Sequence, residues 1–145
     1  GVVVWDPFTS NIKDSLGDDG LAWNGQSGQE FYFLVSTSSE FISESPEAIK
    51  RFLKSLIKAE KFVNENDGKA MEVGKDALGY DEGYINSVWE KSNFKVDLPQ
   101  SLILAMESEG RWKILDTGDD MPNYLDYIYT DALKEIDEKR VTIIG

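Results

Sequence analysis

The chain opens Gly1-Val2-Val3-Val4-Trp5-Asp6-Pro7-Phe8, and the reading of this stretch decides the fold class. Three consecutive β-branched residues with no polar interruption fit a strand buried on both faces, the pattern of a parallel sheet. Pro7 disfavours the α region for Asp6, so the strand is expected to end there and pass into a loop. An indole and a carboxylate then stand at the carboxyl end of a sheet strand, where open α/β sheets bind their ligands. A domain seldom starts its core strand at its first residue, so the abrupt opening also predicts further chain before Gly1.

Outward from that stretch, apolar pieces alternate with turn chemistry. Ile12 and Leu16 form an i,i+4 pair closed by Gly17, and Asp18-Asp19-Gly20 reads as a turn. Residues 21–23 fit a brief strand, Asn24-Gly25 and Ser27-Gly28 a polar turn, and residues 31–35 a second full strand. The clearest helix follows. Ser45 is placed to cap it, Pro46 suits the first helical position and Glu47 the positive end of the dipole. Ile49, Phe52, Leu53, Leu56, Ile57 and Val63 then recur at three- and four-residue intervals.

The remaining chain is helix-rich. A helix over residues 69–78 would end at Gly79, and Asp81 is placed to cap the next, which buries Tyr84, Ile85, Val88 and Trp89. Phe94 and Val96 read as a short extended piece. Pro99 starts a helix that Gly118 breaks, a last helix is expected over residues 123–136, and residues 141–144 close as a short strand.

Composition excludes several chemistries. The 145 residues contain neither His nor Cys, so no Ser-His-Asp triad, thiol nucleophile, disulfide or thiolate zinc site can form. Catalysis would fall to carboxylates, Lys, Tyr, Ser, Thr or an oxygen-ligated metal. The net charge of −12 repels phosphate backbones, which argues against nucleic acid as a partner. No apolar run is long enough for a membrane helix.

Acidic residues before a glycine, as in Asn64-Glu65-Asn66-Asp67-Gly68, invite comparison with a calcium loop. If Gly68 held the sixth EF-hand position, Val63 and Gly74 would stand at the first and twelfth, where carboxylates are required. The template fails, and Asp18-Asp19 and Asp119-Asp120 read as turn residues. No P-loop or dinucleotide fingerprint is present, and no carboxylate pair is singled out for glycoside chemistry.

Three stretches, in order, carry a resemblance. They are Trp5-Asp6-Pro7-Phe8, Asn24-Gly25 through Phe31-Tyr32-Phe33-Leu34-Val35-Ser36, and Ser45-Pro46-Glu47-Ala48-Ile49-Lys50-Arg51-Phe52-Leu53-Lys54. Together with Pro122-Asn123-Tyr124-Leu125-Asp126-Tyr127-Ile128-Tyr129 and Val141-Thr142-Ile143-Ile144, the chain resembles the nitrate/sulfonate/taurine-type substrate-binding proteins of ABC transporters. That group also includes binders of thiamine-pyrimidine precursors. The resemblance implies an α/β fold of the type II periplasmic-binding-protein kind, present as its C-terminal half. Residues 1–35 would be the end of the second lobe and a hinge strand, and residues 36–145 a helical segment returning to the first lobe.

The same resemblance implies a small polar ligand at Trp5, Asp6, Pro7 and Tyr32, hinge closure around residues 31–35, and delivery to a membrane permease. It implies an extracytoplasmic location, periplasmic or lipid-anchored, and no cofactor and no catalysis. A like charge at Asp6 would repel a bare anion, so a ligand with an amine, amide or pyrimidine-like donor is expected rather than nitrate. Relatives that make the thiamine pyrimidine consume a histidine, and this chain has none. Two other classes stay open: a carboxylate- or metal-dependent enzyme of related fold, and a self-associating module that forms a homodimer through strand edges and apolar helix faces.

Overall fold

A computed structural model describes residues 1–25 and 30–144. Its α-helices are α1 (Phe8–Leu16), α2 (Ser39–Glu44), α3 (Pro46–Glu65), α4 (Asp67–Leu78), α5 (Glu82–Trp89), α6 (Gln100–Thr117) and α7 (Asp131–Ile136). Short 3-10 turns occupy Gly17–Asp19, Tyr124–Tyr127 and Glu138–Arg140. Helical residues make up 64% of the described chain and strand 1%, with no sheet. The α/β expectation is therefore overturned, and with it the periplasmic-binding-protein-like architecture.

The reason lies in backbone hydrogen bonding. A strand satisfies its N–H and C=O groups only through a second segment, whereas a helix satisfies its own. Residues 2–4, expected as a buried strand, lie outside regular structure and join no sheet among the described residues, with Val3 fully exposed. Residues 31–35 likewise form no ladder among the described residues, and Phe33 is 93% exposed. Leu21 is 88% exposed in irregular chain. Residues 141–144 contribute a single parallel bridge, Val141 to Leu98. High β-propensity without a partner yields extended chain, not sheet. The Ser27-Gly28 part of the expected turn lies outside the described residues.

The chain divides into two units. The first comprises residues 1–33 and 66–93. Its core is Ala70 on α4 and Ile85 on α5, two helices packed together. Gly79 ends α4 in the left-handed region at φ +70°, its N–H donating to the Lys75 carbonyl at 2.8 Å. Asp81 then starts α5 by accepting from the Tyr84 N–H at 2.9 Å. Both ends lie where cap chemistry places them.

The second unit comprises residues 34–65 and 94–145. Helix α3 packs on α7, which buries Ala132 and Leu133, while α6 buries Leu102 and Ile103. Lys50 on α3 bridges to Glu135 on α7 and to Glu47 at 3.1 Å. Hydrogen bonds donated to those two carboxylates, Glu135 first, hold its ammonium above the ordinary lysine range. Ser38 caps α2 by accepting from Phe41 N–H at 3.1 Å, a helix absent from the sequence expectation. The expected last helix is instead divided into a 3-10 turn and α7, with residues 128–130 non-helical between them. Gly110 of α6 lets the Tyr124 hydroxyl lie directly over the helix, where any Cβ would overlap it.

One polar node links the distant parts of this unit. Glu60 Oε2 on α3 accepts from the Arg140 guanidinium and from the Val96 N–H, both at 2.7 Å. The same Arg140 nitrogen donates to the Val96 carbonyl at 2.9 Å. Leu98 N–H donates to the Arg140 carbonyl at 2.8 Å, and Thr142 N–H to the Leu98 carbonyl at 3.0 Å. Partial burial pushes the Glu60 carboxyl up, but Arg140 and the Val96 amide outweigh it and leave it below the ordinary 4.5.

A depressed folded-state value stabilises the fold above the ordinary value and loses that contribution as pH falls through the folded one. Glu60→Gln should therefore cost about 1–2 kcal/mol at neutral pH, and the cost should shrink below about pH 4. Urea denaturation across that range checks both points. Gly79→Ala should cost about 1 kcal/mol in the same experiment, because an L side chain is strained at positive φ.

Candidate functional site

The first unit carries a shallow polar hollow of about 300 Å³ between α1 and the start of α5. Pro7, Ser10, Asn11 and Asp14 line one wall; Tyr80, Asp81, Gly83, Tyr84 and Ser87 line the other. Trp5 and Asp6 build its first wall through the start of α1. The Trp5 carbonyl accepts from Phe8 N–H at 2.9 Å and Thr9 N–H at 3.3 Å, turning the chain into the helix. Asp6 Oδ1 accepts from the Ser10 hydroxyl at 2.7 Å and the Ser10 N–H at 3.3 Å. This is a carboxylate near a helix N-terminus, where the exposed N–H groups favour negative charge.

The second wall is aromatic and hydroxylic. Tyr80, just before α5, and Tyr84, within it, have ring centroids 4.5 Å apart and planes tilted by 48°. Burial, then the Asp6 charge and then Tyr80, push the Tyr84 phenol above its ordinary value of 10.0. It stays protonated at neutral pH and is available as both donor and acceptor. Ser87 donates to the Tyr84 carbonyl at 2.8 Å, which keeps that hydroxyl on its own helix. Carboxylates at Asp14 and Asp81, with two phenol rings, give the hollow a negative, hydrogen-bonding and partly aromatic character. Such a surface receives an ammonium or an N–H donor better than an anion.

Of the four residues read from the sequence as ligand-binding, the structure brings Asp6 and Pro7 to this hollow. Pro7 lines it, and Asp6 acts on it through Ser10 and through its field at Tyr84. Trp5 contributes backbone only, and its side chain is 72% exposed. Tyr32 does not line the hollow, and its hydroxyl donates to Glu30 Oε2 at 2.6 Å. Sequence reasoning missed Ser10, Asp14 and Tyr80, and assigned Tyr84 to packing. The available signal was the spacing of Tyr80 and Tyr84, an aromatic i,i+4 pair astride the Asp81 cap.

Among the described residues, no group of three or more carboxylates is arranged to hold a metal ion. No described helix is long and apolar enough to cross a membrane. Compared with known proteins, the chain matches no family model, no curated protein and no solved structure.

Proposed function

We propose that this chain captures a small polar organic solute bearing an amine or comparable N–H donor, as the solute-binding component of an ABC importer. The observation that supports the reading is the polar hollow lined by Pro7, with Asp6 beside it through Ser10, in one of the stretches that carry the sequence resemblance. Its carboxylates and tyrosines supply oriented polar groups and aromatic wall without a nucleophile–base pair, a composition suited to binding rather than turnover. The partner in this reading is a membrane permease, and the location is extracytoplasmic.

A second reading rests on the exposure of residues 2–5 and 31–33. Val2, Val3, Trp5, Phe31 and Phe33 expose apolar side chains on segments that join no sheet among the described residues, a surface suited to association with another copy. Two copies would then associate through these segments.

Thermal denaturation with taurine, an alkylsulfonate lacking the amine, and nitrate separates the ligand classes, since a solute bound only by the folded state raises the melting temperature. A shift with the amine-bearing solute alone is expected. Asp6→Asn and Asp14→Asn should each weaken it by about tenfold or more, as loss of a charged hydrogen bond does. Equal shifts with nitrate, or unchanged affinity in both variants, would remove the hollow from the function. Sedimentation over a range of concentrations tests the second reading. A dimer lost in Val3→Lys supports it, and a monomer throughout rejects it.

A further inference from the structure

Charge is unevenly distributed along this acidic chain. Residues 50–61 of α3 hold five cations and one acid, a local net charge of +4, which leaves −16 for the remainder. At 3.6 residues per turn, Lys50, Arg51, Lys54, Lys58 and Lys61 fall within about 100° of the helix circumference and extend over about 16 Å. The apolar positions Ile49, Leu53 and Leu56 lie on a different arc, half-buried where α3 meets its neighbours in the second unit.

Lys50 is committed to Glu47 and Glu135, whereas Lys61 reaches Glu65 only at 3.9 Å. No ion pair involves Arg51, Lys54 or Lys58 among the described residues. Glu47 and Glu65 bracket the row at its two ends. A groove of about 510 Å³ runs beside it, lined by Lys54, Lys58 and Lys61 with Ile57 and Asn64, by the paired Glu60 and Arg140, and by Glu65.

We propose that this row is a docking surface for an acidic peptide segment of a partner protein. Lys54 and Lys58 rise about 6 Å apart along the helix, close to the roughly 6.6 Å between alternate side chains of an extended strand. An extended segment with carboxylates at alternate positions therefore meets successive cations, while a single small anion would engage one or two. The groove gives such a segment a bed with an apolar contact at Ile57. An anionic bilayer fits less well. The apolar arc of α3 is half-buried within its own unit, which leaves less of it to insert, and the −16 elsewhere would be repelled. That excess also repels nucleic acid.

Fluorescence anisotropy of the intact chain with a labelled oligoglutamate peptide tests the assignment. Binding is expected at about 50 mM salt, weakening toward about 150 mM as the Debye length shortens. The double reversal Lys54→Glu/Lys58→Glu should weaken it by about tenfold or more, and Lys54→Gln/Lys58→Gln by less. Lys69→Glu/Lys75→Glu on α4 of the first unit makes the same change in net charge without touching the row and should leave binding nearly unchanged. Far-ultraviolet circular dichroism confirms that each variant keeps its helices. The proposal is overturned if the peptide does not bind at low salt or if the α4 control weakens binding as much as the α3 reversal. Binding to phosphatidylglycerol vesicles without binding to the peptide would overturn it in favour of a membrane.

Discussion

Every N–H and C=O removed from water must find a partner, and among the described residues helices and turns find theirs locally. That constraint decides what becomes regular structure. Residues 46–65 complete their hydrogen bonds from their own sequence once Pro46 starts the helix, and α4, α5 and α6 do the same between a cap and a glycine or turn. Residues 2–5 and 31–35 carry the most strand-like sequence in the chain, yet the described residues supply no second strand to pair with them. Their apolar side chains consequently stay at the surface, Val3 and Phe33 most of all.

Where a non-local partner does exist, it is polar. Glu60 gathers the Arg140 guanidinium and the Val96 amide around one oxygen, and so ties α3 to two segments 36 and 80 residues away. The parallel bridge of Leu98 and Val141 forms beside this node. An ion pair of this kind is worth little at a surface and more where both partners are shielded. Here the Glu60 and Arg140 side chains are 15% and 19% exposed, intermediate between those limits. The node acts mainly by fixing register, because one guanidinium nitrogen bonds both the carboxylate and the Val96 carbonyl.

Legibility followed the range of the interaction. Asp81 as a cap, Pro46 as a first helical residue and Gly79 and Gly118 as stops are local rules, and each appears at its position. The α/β class was a non-local inference from Val2-Val3-Val4 and residues 31–35, and it failed for want of a pairing partner. Asp6 and Pro7 were singled out through the strand-end reading, but they stand at a helix start instead, with Pro7 lining the hollow. Tyr80 and Tyr84 were not, since nothing local says that α1 and α5 face one hollow. Glu60 with Arg140 was beyond reach for the same reason. The cations of α3 were legible as letters, but their row gained meaning only when the apolar arc was seen to be occupied.

Residue-resolved amide hydrogen exchange tests the central structural claim most directly. Opening free energies differ between secured helices and chain without hydrogen-bonded partners, so protection reports which backbone groups are paired. The account requires slow exchange in α3, α6 and α7 and at the Val96 and Leu98 amides, with residues 2–5 and 31–35 exchanging as open chain. Protection of those two segments at the level of α3 would contradict it, because their N–H groups would then be paired in a sheet.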